Sequence, residues 1–114
     1  MDIRERAVDG VTVLYLSGKI VLGEGEVQIR DRIKDLLADG QRRILLNLAD
    51  VSYIDSAGLG TLISSYATVK RENGQLKLVN LTTRVQDLLA ITKLITVFET
   101  FDSESEALAS FKSS

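Results

Sequence analysis

The segment Asp55-Ser56-Ala57-Gly58-Leu59-Gly60 combines a hydroxyl, a neighbouring carboxylate and two glycines within six residues. It joins a predicted strand, Arg43–Leu48, to a predicted helix, Leu59–Asn73. A glycine inside a helix costs about 0.8–1.0 kcal/mol relative to alanine, so a first turn selected for stability alone would not contain two. The Asp-Ser pair and the glycines therefore mark this helix start as the candidate functional site.

Two interpretations of the segment follow from its residue types. In the first, Asp55 or Ser56 is a helix N-cap, and Gly58 and Gly60 allow close packing against a neighbouring element. In the second, Ser56 offers an exposed hydroxyl to another protein, and Ala57 and the two glycines leave room for that partner's backbone. A phosphate on Ser56 would add a charge of about −1.5 to −2, and burying that charge in an interface beside Asp55 would switch binding off.

The residue inventory argues against catalysis at Ser56. The chain has no His and no Cys, which removes disulfides, His-dependent triads, Cys nucleophiles and the usual zinc ligands. No Ser-x-x-Lys follows Ser56, and Gly-x-Ser-x-Gly and Gly-x-x-x-x-Gly-Lys are both absent. Gly23-Glu24-Gly25-Glu26 lacks the third glycine of a dinucleotide fingerprint. We therefore expect neither an enzyme nor a nucleotide-binding protein, and no cofactor or metal.

Composition narrows the class of protein further. The 114 residues include 14 Lys+Arg and 16 Asp+Glu, for a formal net charge of −2, and 45% are hydrophobic, which is typical of one globular domain. Near-neutral charge with three Tyr, three Phe and no Trp is poorly suited to nucleic-acid binding. No apolar run approaches the ~18–20 residues of a membrane span, and Met1–Arg6 lacks a signal-peptide pattern. We expect a cytoplasmic protein that binds neither nucleic acid nor membrane.

Hydrophobic periodicity divides the chain into nine elements in the order ββαβαβαβα. Asp9-Gly10 predicts a hairpin between the first two strands. Strands and helices alternate afterwards, which favours an α/β fold with a mixed sheet of about five strands flanked by helices. The predicted strands are Ile3–Ala7, Val11–Leu16, Arg43–Leu48, Gln75–Val79 and Thr96–Phe101, and the predicted helices are Glu24–Asp39, Leu59–Asn73, Thr82–Thr92 and Ser103–Phe111.

The predicted helix after the Asp-Ser pair has an apolar stripe of Leu59, Leu62, Ile63 and Tyr66, which we assign to the core. Thr61 and Ser64 are expected to lie mostly outside this stripe, and no function is assigned to their hydroxyls. We expect a monomer, although the strand Ile3–Ala7 is an edge that can pair.

The chain resembles the bacterial anti-sigma factor antagonist family, which is built on the STAS domain. Asp55-Ser56-Ala57-Gly58-Leu59-Gly60 resembles that family's phosphorylation motif: Asp, the acceptor Ser, a small residue, Gly, an apolar residue and a small residue. Leu46-Asn47-Leu48 and Val51-Ser52-Tyr53-Ile54 lead into the motif as in the family, and Leu76-Lys77-Leu78-Val79-Asn80 follows it at the expected spacing. The resemblance covers essentially the whole chain and implies that residues 1–114 form a single STAS domain.

The resemblance implies a partner-switching role. In this family the unphosphorylated protein binds an anti-sigma factor that is also a serine kinase, which frees a sigma factor. The kinase phosphorylates the antagonist's serine and so releases it, and a PP2C-type phosphatase restores the active form. Carried over to this chain, Ser56 is the phosphorylation site and Asp55 positions the kinase contact and the helix start. The implied partner-binding residues are Asp55, Ser56, Ala57, Gly58, Leu59 and Gly60.

One loop departs from the family pattern. After the second strand the family usually has Gly-Glu, an apolar residue and Asp, whereas this chain has Gly18-Lys19-Ile20-Val21. Lys19 and Val21 therefore replace acidic residues in a loop that, in the family, lies near the serine. This departure leaves an alternative open, a STAS scaffold whose serine is never phosphorylated and which serves a stressosome-like or lipid-transport complex.

Overall fold

The computed structural model describes residues 1–112 and confirms the predicted α/β class and element order. Nine elements follow the chain in the order ββαβαβαβα. They are β1 (Asp2–Val8), β2 (Val11–Ile20), α1 (Glu24–Ala38), β3 (Arg43–Ile54), α2 (Ser56–Arg71), β4 (Gln75–Val79), α3 (Thr83–Ile91), β5 (Thr100–Phe101) and α4 (Glu104–Lys112).

The five strands form one mixed sheet in the order β1-β2-β3-β4-β5. β1 pairs with β2 antiparallel through the predicted hairpin, where Asp9 and Gly10 both have positive φ, 51° and 80°. The other neighbouring strands run parallel. Because α1, α2 and α3 each follow a parallel strand, all three helices begin at the same edge of the sheet. The candidate site therefore lies where three helix starts meet the carboxyl ends of the strands.

Each face of the sheet is covered by different helices. The larger core unites β2, β3 and β4 with the apolar sides of α1, α2 and α3, including Ile33, Leu62 and Leu89. The smaller core lies on the opposite face, where Ala107 and Phe111 of α4 pack against the sheet. The apolar stripe predicted for α2 lies against the larger core, with Leu62 fully buried.

Several predicted boundaries are wrong, and tertiary pairing explains the largest errors. β2 continues to Ile20 instead of Leu16, and β3 continues to Ile54 instead of Leu48, because their last residues pair with each other across two register shifts. α2 begins at Ser56 rather than at Leu59. The last strand was predicted as Thr96–Phe101, but only Thr100–Phe101 pairs with β4.

Candidate functional site at the start of helix α2

Asp55 is the residue that connects β3 to α2. Its backbone is extended, with φ −103° and ψ −176°, and its N–H donates to the carbonyl oxygen of Ile20, 3.3 Å away. One carboxylate oxygen accepts from the Gly58 N–H at 2.8 Å, which makes Asp55 the N-cap of α2. The other oxygen accepts from the Leu22 N–H at 3.2 Å. Asp55 therefore stabilises the helix start and also connects it to the loop after β2.

The same contacts determine the charge of Asp55. The Gly58 N–H, and to a smaller extent the Leu22 N–H, stabilise the carboxylate and lower the pKa of Asp55 below its usual value, although partial desolvation opposes them. Asp55 is consequently ionised throughout the physiological pH range. The candidate site thus has a fixed negative charge in the residue before Ser56.

Gly58 is buried at the contact between α2 and the end of β2. A Cβ atom added to Gly58 would overlap the carbonyl oxygen of Ile20 and would lie 2.8 Å from that residue's carbonyl carbon and 2.9 Å from its Cγ2. Only glycine permits this approach of helix to strand. Leu59 is also buried, as part of the larger core. Both residues therefore serve the interior of the molecule.

Ser56, Ala57 and Gly60 form the outward part of the same turn. Ser56 is exposed, and within residues 1–112 its hydroxyl has no hydrogen-bond partner. Ala57 is half-buried. A Cβ atom at Gly60 would meet nothing within 4 Å. A hydroxyl on the first residue of a helix, beside small side chains and open space, is accessible to another protein.

Comparison with known proteins identifies the family. The STAS domain family matches residues 2–107, nearly the whole chain. This chain belongs to the STAS domain family. An anti-sigma-B factor antagonist of Bacillus subtilis is 37% identical over 94 residues, which is 82% of this chain and 83% of that protein. The predicted resemblance to anti-sigma factor antagonists is thereby confirmed.

Solved structures support the STAS fold. The crystal structure of an anti-sigma factor antagonist from Mycobacterium paratuberculosis has a TM-score of 0.83 at 22% identity, covering 96% of this chain and 92% of that one. The phosphorylated form of the Bacillus cell fate determinant SpoIIAA has a TM-score of 0.76 at 20% identity, with 96% and 99% covered. At these identities the likeness concerns the fold alone.

The site of this STAS domain includes residues that sequence reasoning missed. Ile20, at the end of β2, and Leu22, in the loop after it, form hydrogen bonds with Asp55 through their backbone groups. The family resemblance places this loop near the serine, but no sequence signal singles out these two residues. Thr61 was expected outside the apolar stripe, but it is buried, and its hydroxyl donates to the Ala57 carbonyl oxygen at 3.0 Å. A signal was present in the chain, because Gly58, Thr61 and Ser65 are small residues at helical spacing, and all three are buried.

Two further features concern metal binding and membrane insertion. Residues 1–112 contain no group of three or more His, Cys, Asp or Glu side chains arranged to hold a metal ion. In the same part of the chain, no helix is both long enough and apolar enough to cross a membrane.

Proposed function

We propose that this STAS domain is an anti-sigma factor antagonist that acts by partner switching. The unphosphorylated chain binds an anti-sigma factor with serine kinase activity and thereby frees a sigma factor. Phosphorylation of Ser56 ends that binding, and a PP2C-type phosphatase restores it. The name of the Bacillus subtilis relative, an anti-sigma-B factor antagonist, supports the partner class. No catalytic group of this chain takes part, since the kinase and phosphatase supply the chemistry.

The proposal rests mainly on one observation: in the first turn of α2, some residues contact the interior of the molecule while the Ser56 hydroxyl faces outward. Asp55, Gly58 and Leu59 are committed to contacts inside the molecule, whereas the Ser56 hydroxyl is exposed and has no partner within residues 1–112. A kinase can therefore reach Ser56 without unfolding the helix start. Asp55 holds the backbone on one side of the serine and the helix holds it on the other, so the acceptor has a defined position.

Charge explains how one phosphate acts as a switch. The helix dipole at the start of α2 favours a negative charge and so tolerates a phosphate on Ser56 within the isolated molecule. In a complex the phosphate must be desolvated beside the ionised Asp55, and an uncompensated buried charge costs several kcal/mol. A hundredfold loss of affinity requires only about 2.7 kcal/mol. A single phosphate is therefore sufficient to release the partner.

The test compares Ser56→Asp and Ser56→Ala for binding to purified serine-kinase-type anti-sigma factors of the source organism, measured by calorimetry. We expect Ser56→Asp to bind at least about 100-fold more weakly than the unchanged chain. Ser56→Ala should bind but gain no phosphate when incubated with kinase and ATP, as checked by mass spectrometry. Ser64→Asp is the matched control, because Ser64 is exposed on the same helix about 12 Å further along its axis.

Equal binding by the Ser56→Asp and Ser64→Asp variants would contradict the switch. Ser56 would then be only the first residue of α2, and the STAS scaffold of another complex would become the better interpretation.

A further inference from the structure

A cation–aromatic–cation strip crosses the sheet edge near Ser56. It consists of Lys19 on β2, Tyr53 on β3 and Arg84 on α3. Lys19 and Tyr53 are direct register partners across the parallel β2–β3 pair. The guanidinium carbon of Arg84 lies 5.4 Å from the centroid of the Tyr53 ring, within cation–π range. All three side chains are exposed, Tyr53 to 40%.

The two cations of the strip are not neutralised within the described fold. Neither Lys19 nor Arg84 forms an ion pair with any of residues 1–112. Arg84 is moreover the second residue of α3, where the helix dipole disfavours a positive charge. The contact with the Tyr53 ring leaves this charge without a counter-ion among residues 1–112, which suggests that Arg84 has a use outside the molecule.

The strip is continuous with the turn that contains Ser56. Tyr53 precedes Ser56 by three residues, and Lys19 precedes Ile20, whose carbonyl group contacts Gly58 and Asp55. On its other side, Tyr53 borders a shallow cleft of about 540 Å³ between β3 and α3. Ile91, which is 79% exposed, lies at this cleft together with Leu88 and Asp87. Basic, aromatic and apolar groups thus adjoin one accessible hydroxyl.

We propose that this strip docks an acidic segment of the anti-sigma factor, and that it selects that partner by charge. The inference rests on the proposed function. Arg84 offers two parallel N–H donors to a carboxylate, Lys19 provides a second point charge, and the Tyr53 ring contributes apolar contact area between them. An apolar side chain next to the acidic one occupies part of the cleft and packs against Ile91.

The charges around the strip favour a protein segment over a polyanion. Asp87 lies one helical turn from Arg84, and Asp55 is ionised at the neighbouring helix start. These carboxylates repel an extended row of phosphates, whereas a segment with one or two acidic side chains meets only the two cations. Asp87 also opposes an acid placed deep in the cleft, so it fixes the direction in which the segment lies.

The test reverses both charges in the double variant Lys19→Glu/Arg84→Glu. Its binding to the purified serine-kinase-type anti-sigma factor is measured by calorimetry at low and high salt. We expect affinity to fall by about 30-fold or more, and the salt dependence of binding to flatten. Asp87→Asn should act in the opposite direction and bind about two- to threefold more tightly. Lys34→Glu/Lys70→Glu is the matched control, with the same change in net charge on exposed lysines further along α1 and α2.

The outcomes separate this inference from the proposed function. If Ser56→Asp abolishes binding while the strip and control double variants bind equally, the docking strip is wrong and the switch stands. If the unchanged chain binds no such anti-sigma factor, both are wrong. Charge-dependent binding of a DNA duplex or of phosphatidylserine vesicles, lost in the strip variant without any change in anti-sigma factor binding, would also overturn the inference. Thermal unfolding of each variant checks that the fold is retained.

Discussion

Gly58 and Gly60 stand two residues apart in one helix but in opposite surroundings. A methyl group on Gly58 would overlap the backbone of Ile20, whereas a methyl group on Gly60 would meet nothing within 4 Å. The fold therefore requires glycine at the first position and is indifferent to it at the second. A helix-weakening residue that the fold does not require points to a use outside the molecule.

The same division extends to the other residues of the turn. Asp55 and Leu59 stabilise the helix start and the core, whereas the Ser56 hydroxyl forms no hydrogen bond within residues 1–112. The inward-facing residues hold the exposed ones in a fixed position, because the Asp55 carboxylate accepts hydrogen bonds from both Gly58 and Leu22. Substitutions in the two halves should consequently separate stability from binding.

Gly58→Ala is expected to produce the largest loss of stability. The added Cβ would press on backbone atoms of Ile20, so β2 and α2 must move apart. We expect the free energy of unfolding to fall by about 2–3 kcal/mol, as for overpacking in a core, when measured by chemical denaturation. Gly60→Ala is the control, because it adds the same methyl group to the same helix. A loss below about 0.5 kcal/mol for Gly58→Ala would show that α2 can move away from β2 at little cost in free energy.

Asp55→Asn is expected to have a smaller effect, and one that depends on pH. The pKa of Asp55 is lowered chiefly by the Gly58 N–H. A carboxyl group whose pKa is lower in the folded state stabilises the fold above its unfolded pKa, and this contribution is lost as the pH falls through the folded value. The stability difference between the unchanged chain and Asp55→Asn should stay constant from pH 7 to about pH 5 and shrink from about pH 4 downwards.

Urea denaturation across this pH range measures the Asp55 effect. Asp50→Asn is the control, because the Asp50 carboxylate is exposed and has no hydrogen-bond partner among residues 1–112. Amide hydrogen exchange adds a local readout: Asn has one acceptor oxygen where Asp has two, so at least one of the Leu22 and Gly58 N–H groups should exchange faster in Asp55→Asn. A difference already lost at pH 5, or unchanged exchange at both amides, would mean that Asp55 does not hold the two segments together.

Sequence reasoning predicted the fold where the signals were local. The order of elements and the Asp9-Gly10 hairpin both depend on neighbouring residues, and the structure contains each of them. The ends of β2 and β3 were missed because these strands extend by pairing with each other. No local sequence pattern in either segment predicts that long-range pairing.

For the candidate site, as for the fold, the sequence predicted the local features and missed those that depend on distant residues. The motif marked the helix start and left open whether Asp55 or Ser56 is its cap, and in the structure Asp55 is the cap and Ser56 is exposed. It did not separate the roles of Gly58 and Gly60, since the difference comes from Ile20, which is distant in the chain. The burial of Thr61 was missed because hydroxyl residues are usually exposed, whereas here the hydroxyl is satisfied within its own helix.

Gly60→Ala is expected to have the smallest effect on stability. The direction of that effect is nevertheless informative, because we expect the variant to be more stable than the unchanged chain. Alanine is a better helix former by about 0.8–1.0 kcal/mol and meets no obstacle here, so the free energy of unfolding should rise by about 0.5–1 kcal/mol. If a partner's backbone lies against this face, the same methyl group weakens binding while it stabilises the free protein. Denaturation and calorimetry on this one variant therefore test both halves of the comparison. Greater stability with unchanged binding would place the partner elsewhere on the turn, and lower stability would show that Gly60 also serves the fold.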